Sequence, residues 1–102
     1  MIEKVYTIDE IKENLKIVLT GTDVLKVILF GSYAKGNATK NSDIDLVIDS
    51  NGKLMGFNLY SLITKIENTF KKNIDAFEKS EITPNSIIDE EINNTGVIVY
   101  EK

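Results

Sequence analysis

The pattern of apolar and polar residues predicts two amphipathic helices, and capping residues predict a third helix. Apolar residues recur at helical spacing in residues 8–19 and 57–72, and the third helix is expected over residues 84–93. Thr7 and Glu10 form a capping box, in which each side chain can bond the other residue's backbone N–H, and this predicts the start of the first helix. Thr83 followed by Pro84 predicts the start of the third, because proline suits the first helical position.

Short apolar runs bounded by turn residues predict four strands, at residues 24–30, 43–49, 73–77 and 97–100. The first is apolar at every position except Lys26 and the second contains the apolar run of residues 46–48, so we expect both to be buried strands. The loop between them, residues 31–42, is expected to contain one helical turn near Ser32. Strands and helices alternate over the whole chain, so we predict one α/β domain spanning residues 1–102.

Composition narrows the chemistry. The 102 residues include no cysteine and no histidine, which excludes disulfides, thiolate chemistry, Ser-His catalysis and the usual zinc ligands. All twelve positively charged side chains are lysines, so a phosphate can be held only by lysine, backbone N–H or a metal ion. The net charge of −4 argues against nucleic acid as a tight partner, because phosphate backbones favour basic surfaces.

The sequence shows no signal peptide and no membrane-spanning segment. Its first residues lack the basic stretch and apolar run of a signal peptide. No apolar run approaches the roughly 20 residues of a membrane span. We therefore expect a cytoplasmic protein without a membrane partner.

The stretch FGSYAKGNATKNSDIDLVID, residues 30–49, carries the candidate chemistry. It is not a P-loop, because Gly31-x4-Gly36 is followed by asparagine and alanine instead of lysine and a hydroxyl residue. An EF-hand register at residues 47–58 also fails, since it places valine and asparagine at ligand positions. What remains is Gly31-Ser32, a ten-residue spacer and Asp43-x-Asp45.

Asp43 and Asp45 are two positions apart at the head of a predicted strand, so they share a face at about 6.6–6.8 Å. Two such carboxylates repel each other, and a divalent cation with oxygen ligands, Mg²⁺ or Mn²⁺, would compensate. Gly31 and Ser32 would offer phosphate oxygens backbone N–H groups and a hydroxyl. A simpler interpretation stays open on these residues alone: Gly31 ends a strand and both aspartates are solvated.

The Gly-Ser, spacer, Asp-x-Asp pattern resembles the DNA polymerase β-like nucleotidyltransferase superfamily, and specifically its minimal nucleotidyltransferases. This resemblance implies a palm-like α+β fold with a four-stranded mixed sheet and about three helices, packed mainly on one face. It implies that Gly31 and Ser32 bind the terminal phosphates of ATP. Asp43 and Asp45 would hold two Mg²⁺ ions, and a third carboxylate, matched by Asp75, would join them and take the proton of the attacking hydroxyl.

Strand geometry favours Asp75 over Asp49 as the third carboxylate. Asp49 lies about 13 Å beyond Asp45 on the same strand, whereas a neighbouring strand is only about 4.8 Å away. An incidental polar role for Asp75 stays open. Two residues are weaker candidates for nucleotide binding. Lys35 stands where many relatives carry arginine, and Ser42 either orients Asp43 or ends the loop.

The resemblance also implies a reaction and a partner. AMP would pass from ATP to a hydroxyl. Minimal members are commonly paired with a small helical HEPN protein, often a toxin, and the nucleotidyltransferase then acts as the antitoxin by modifying a tyrosine of that partner. Two alternatives stay open. The chain is a catalytically vestigial antitoxin that neutralises by contact, or it modifies a small molecule or RNA end, with the site completed by a homo-oligomer or a partner subunit.

Overall fold

The computed structural model describes residues 4–102 and contains four α-helices and four strands in this region. In chain order they are α1 Ile8–Leu19, β1 Lys26–Phe30, α2 Gly31–Lys35, β2 Ile44–Asp49, α3 Gly56–Phe70, β3 Ile74–Glu78, α4 Ile87–Thr95 and β4 Val97–Glu101. A 3₁₀ turn, Lys79–Glu81, follows β3.

The strands form one sheet in the order β3-β2-β1-β4. β1 is antiparallel to both β2 and β4, whereas β2 and β3 are parallel and connected through α3. The predicted mixed four-stranded sheet of a nucleotidyltransferase-like α+β fold is therefore confirmed. This order makes β3 the direct neighbour of β2, which brings the starts of the two strands together.

One face of the sheet is covered by α1 and α3, and the core lies between this face and the two helices. Side chains from both helices and from alternate strand positions are fully or almost fully buried there: Ile11, Leu15, Leu19, Val27, Leu29, Ile44, Leu46, Ile48, Ile66, Phe70 and Val99. The ring of Tyr6 packs edge-on against Phe70 with centroids 5.0 Å apart, and its hydroxyl donates to the Phe70 carbonyl. This continuous apolar layer fixes the register of every strand, because a one-residue slip would expose it.

The opposite face carries the acidic residues. Register pairs place Ile28 beside Val47, Phe30 beside Asp45, and Asp45 beside Asp75 on this face. α4 covers its β1 side, where a Cβ on Gly96 would touch the Ile28 side chain. α4 therefore lies on the opposite side of the sheet from α1 and α3.

Most predicted elements differ from the observed ones by one or two residues at an end, and two of the differences matter most here. β2 begins at Ile44, so Asp43 lies immediately before the strand instead of within it. α4 begins at Ile87 and is capped by the Ser86 hydroxyl, which accepts from the Asp89 N–H. Thr83-Pro84 forms a turn instead of a helix start, because Asn85 has φ +64° and a right-handed helix cannot pass through it.

Candidate functional site

Gly31 is the point where the glycine-serine turn touches the Asp-x-Asp segment. It follows β1 directly and has φ +73°, in the left-handed region that favours glycine. A Cβ at this position would collide with the carboxylate of Asp45. Both the backbone conformation and the contact therefore require glycine, and the Gly31 backbone packs directly against the Asp45 carboxylate.

Asp45 and Asp75 are direct register partners on the parallel strands β2 and β3. Asp45 is half-buried, whereas Asp75 is exposed at the edge of the sheet and Asp43 is exposed just before β2. The structure thus brings Asp75 beside Asp45, and Asp49 lies four residues farther along the strand near Lys79. The choice of Asp75 over Asp49 as the third carboxylate stays a prediction, and this geometry agrees with it.

The carboxylates act on one another electrostatically. Partial burial, followed by the negative charges of Asp75, Asp43 and Glu91, raises the pKa of Asp45 from 3.8 to about 6. The ionised form of Asp45 is therefore disfavoured by its surroundings, and a nearby cation would stabilise it. Metal ions with oxygen ligands meet that need, so the donor chemistry of the three aspartates fits Mg²⁺ or Mn²⁺.

The three aspartates do not form a closed ligand set. Among residues 4–102, no group of three or more acidic, histidine or cysteine side chains is gathered tightly enough to form a ready-made metal centre. Asp43 and Asp75 are both exposed, and exposed carboxylates have rotamer freedom with which to approach an ion. Assignment of metal ions to Asp43, Asp45 and Asp75 remains a prediction.

Ser32 lies in the first turn of α2, beside Gly31 and half-buried. The N-cap of this short helix is Phe30, whose side chain makes no capping hydrogen bond. Tyr33, which follows, is buried in the core and anchors α2 against the sheet. The Gly31-Ser32 turn therefore sits on a fixed support at the end of β1, directly next to Asp45.

Lys35 does not point freely into the site. Its ammonium group lies 3.1 Å from a Glu91 carboxylate oxygen, which ties the end of α2 to α4. This pair is substantially exposed, so its contribution to stability is small. Glu91 was not a candidate from sequence, because only the packing of α4 against β1 and α2 brings it near Asp45.

Ser42 lies in a hydrogen-bond network that closes the loop before β2, and its role in nucleotide binding stays a prediction. Its hydroxyl oxygen accepts from the Thr39 backbone N–H at 2.9 Å, and its carbonyl accepts from the Lys72 ammonium group at 3.2 Å. Lys72 also donates to the Lys40 carbonyl at 2.9 Å and is almost fully buried. This lysine, which the sequence analysis missed, pins the segment directly before Asp43 to the end of α3.

Substituting Gly31 tests the close contact between Gly31 and Asp45, with Gly36 as a matched control. Gly31→Ala is expected to lower the free energy of unfolding by about 2–3 kcal/mol, through left-handed backbone strain and the collision with Asp45. Gly36→Ala imposes similar strain at φ +80°, but its Cβ meets nothing within 4 Å, so a loss of about 1–2 kcal/mol is expected. Urea unfolding measures both losses, and equal values would mean that Gly31 serves only the turn.

Comparison with known proteins gives this arrangement its family. The family model for polymerase beta nucleotidyltransferases matches residues 10–102. The chain belongs to this family. The superfamily predicted from the Gly-Ser and Asp-x-Asp pattern is therefore confirmed, and membership supports nucleotidyltransferase activity as the enzyme class.

Individual relatives of this nucleotidyltransferase point the same way. A protein of Methanocaldococcus jannaschii named a "putative protein adenylyltransferase" is 35% identical, over 74% of this chain and 82% of the relative. A second protein of that organism, with the same name, is 31% identical over 76% of this chain and 83% of its own length.

Solved structures share the fold. A chain from a toxin-antitoxin crystal structure with AMP-PNP matches with a TM-score of 0.75 and 18% identity, over 89% of this chain and 73% of that chain. Another match is a chain from the complex of a tri-AMPylated Shewanella oneidensis HEPN toxin with MNT antitoxin. Its TM-score is 0.71 and its identity 14%, over 94% of this chain and 74% of that chain. Within residues 4–102 of this chain, no helix is long and apolar enough to cross a bilayer.

Proposed function

We propose that this chain transfers AMP from ATP to a hydroxyl group of a partner protein, with a tyrosine of a HEPN toxin as the acceptor. The observation that carries the proposal is the register pair of Asp45 and Asp75, which puts a third carboxylate beside the Asp43-x-Asp45 segment. The relatives named protein adenylyltransferases and the toxin-antitoxin structures that share the fold support the choice of AMP and of a protein acceptor.

Different residues of the site would bind different parts of ATP and its metal ions. The backbone of Gly31 and the hydroxyl and backbone N–H of Ser32 would hold the terminal phosphates, since they stand at the end of β1 beside the acidic cluster. Asp43, Asp45 and Asp75 would hold two Mg²⁺ ions. Those ions, when bound, neutralise phosphate charge and lower the pKa of the attacking hydroxyl.

The proposed reaction is an in-line displacement. The acceptor hydroxyl oxygen forms a bond to the α-phosphorus of ATP, the bond from that phosphorus to the bridging oxygen breaks, and pyrophosphate leaves. Asp75 receives the hydroxyl proton. Its place on the exposed edge strand suits this role, because an acceptor side chain can reach it without entering the core.

A labelling experiment tests the proposal. The protein is incubated with Mg²⁺ and with ATP labelled at either the α- or the γ-phosphate, in the presence of the protein encoded by the adjacent gene. Label from α-labelled ATP only, with one pyrophosphate released per AMP transferred and loss of both in the Asp43→Asn/Asp45→Asn double variant, is the expected result. Mass spectrometry of the acceptor then identifies the modified side chain.

Two other outcomes point to the alternatives. A double variant that neutralises its partner as well as wild type, with no label transferred by either protein, would indicate an antitoxin that acts by contact. Label that enters RNA or a small molecule, but no protein, would move the acceptor to that class while leaving the metal and phosphate roles in place.

A further inference from the structure

An apolar cavity of about 350 Å³ opens between β3 and the start of α4. We call its apolar lining the β3–α4 patch; it consists of Phe77, Ile82, Ile87 and Ile88. Ile87 is 86% exposed and Ile88 39% exposed, although both are large apolar side chains. Neighbouring exposed isoleucines beside a cavity are unusual on a soluble surface and are typical of a binding site.

The β3–α4 patch is continuous with the candidate active site. Phe77 lies two residues after Asp75, so both side chains are on the same face of β3, about 6.6–6.8 Å apart. The ring of Phe77 also lies 6.4 Å from the ring of Phe30, whose register partner is Asp45. A molecule that reaches Asp75 from the edge of the sheet therefore meets the patch next.

The charges around the β3–α4 patch are negative. Glu81 lines the cavity, and Glu90 is exposed in the first turn of α4. Asp75 extends the negative charge toward the active site. Lys79, which directly follows β3, lies 4.0 Å from Asp49, and Lys35 pairs with Glu91. Within residues 4–102, no lysine lines the cavity. The rim thus suits a partner with positive charges, whereas RNA would be repelled.

We infer that the β3–α4 patch binds an extended segment of the acceptor protein next to the modified residue. This inference rests on the proposed function, because that function places an acceptor hydroxyl at Asp75. In an extended peptide, alternate side chains are separated by the same distance as Asp75 and Phe77. With the hydroxyl residue at Asp75, the apolar residue two positions away packs on Phe77 and Ile87, and flanking lysines or arginines meet Glu81 and Glu90.

Binding of a defined peptide tests this directly, without any transfer reaction. The probe is a fluorescein-labelled peptide with a tyrosine, a leucine two residues away and two flanking lysines, titrated with full-length protein in the absence of ATP. Ile87→Ser is expected to weaken binding about five- to twentyfold, because it removes one apolar anchor. The matched control is Ile17→Ser on α1, an isoleucine that is 76% exposed on the other side of the sheet and should leave binding unchanged.

Two further measurements separate this inference from the proposed function. N-acetyltyrosinamide is too small to reach the β3–α4 patch, so transfer of AMP to it should be the same in wild type and Ile87→Ser. If neither protein transfers AMP to this acceptor while the peptide still binds, the proposed function fails and the peptide-binding site stands. The inference is overturned if the peptide does not bind, if Ile17→Ser and Ile87→Ser weaken binding equally, or if replacing the leucine by serine has no effect. Concentration-dependent dimerisation that Ile87→Ser abolishes would also overturn it, with a second copy as the occupant.

Discussion

Replacing Asp45 with asparagine is expected to abolish nucleotide transfer and, in metal-free buffer, to make the protein more stable. Transfer should fall by about a thousandfold or more, because the charge that is removed acts where the reacting phosphate is held. Stability should rise because burial and the charges of Asp75, Asp43 and Glu91 raise the pKa of Asp45 to about 6, so the folded state resists the ionised form.

The pH range of this effect follows from the direction of the shift. Below about pH 4 the carboxyl group is protonated in both the folded and the unfolded protein, and it contributes no penalty. As the pH rises from about 4 to 6, the unfolded chain ionises first and wild-type stability falls. The full pKa difference corresponds to about 3 kcal/mol, which partial solvent exposure of Asp45 reduces to about 1–2 kcal/mol.

Thermal unfolding in EDTA at two pH values measures the effect. At pH 7.5, Asp45→Asn should melt about 4–8 °C above wild type, and at pH 3, below both pKa values, the difference should disappear. Added Mg²⁺ should raise the melting temperature of wild type more than that of the variant. Asp49→Asn, on the same strand and face, should leave transfer and the Mg²⁺ response unchanged. A lower melting temperature for Asp45→Asn at pH 7.5 would contradict the electrostatic account.

Replacing Glu78 with glutamine is expected to cause a large loss of stability. Glu78 is 1% exposed at the end of β3. It accepts from the Ser50 N–H and hydroxyl at 2.9 and 2.6 Å, from the Gly52 N–H at 3.3 Å and from the Ser80 N–H at 2.7 Å. An amide would replace one acceptor oxygen by a donor that faces other donors. We expect the free energy of unfolding to fall by about 2–4 kcal/mol, a large fraction of the total for a domain of this size.

The pH dependence of the Glu78 contribution has the opposite sign to that of Asp45. Burial favours the neutral acid, but the hydrogen bonds from Ser50 and Ser80 outweigh it and lower the pKa of Glu78 to about 2. Its stabilisation is therefore complete above about pH 4.5 and is lost as the pH falls toward 2. Taken together, Asp45 and Glu78 contribute most to the stability of metal-free wild type near pH 4–5, where the two ranges meet.

Urea unfolding of Glu78→Gln from pH 2 to pH 7 checks both points. The difference from wild type should be largest at neutral pH and should shrink as the pH falls below about 4.5. Glu81→Gln is the matched control, because Glu81 is exposed and its oxygen accepts from the Glu78 N–H, a bond that an amide oxygen can keep. Equal losses in the two variants would mean that the buried hydrogen bonds of Glu78 carry no special weight.

Local sequence signals predicted most of the fold because they act over few residues. The Thr7–Glu10 capping box starts α1 as expected, and both its hydrogen bonds are present. Strand positions follow the short apolar runs, since burying those runs on one or both faces is what fixes a strand in place. Thr83-Pro84 misled because the same dipeptide suits a turn, and the left-handed Asn85 behind it decides in favour of the turn.

Residues that act through distant partners could not be predicted. Glu78 accepts from groups 26 and 28 positions earlier in the chain, and Lys72 donates to carbonyls 30 and 32 positions earlier. Glu78 has one nearby partner, the Ser80 N–H, but nothing in the sequence around Glu78 or Lys72 marks the distant contacts, because those partners come close only in the folded chain. Asp75 could be predicted only in part. The sequence shows an aspartate in a predicted strand, but its place beside Asp45 depends on β3 being next to β2.

Counting bound metal ions tests the central claim most directly. Mn²⁺ binding is measured by electron paramagnetic resonance, in the presence of an ATP analogue with a methylene bridge between the α- and β-phosphorus atoms. If Asp43, Asp45 and Asp75 act together with Gly31-Ser32, wild type binds two ions per chain, whereas Asp75→Asn binds fewer and Asp49→Asn binds two. Equal Mn²⁺ binding by wild type and Asp75→Asn would contradict the account, because the carboxylate beside Asp45 would then have no part in the site.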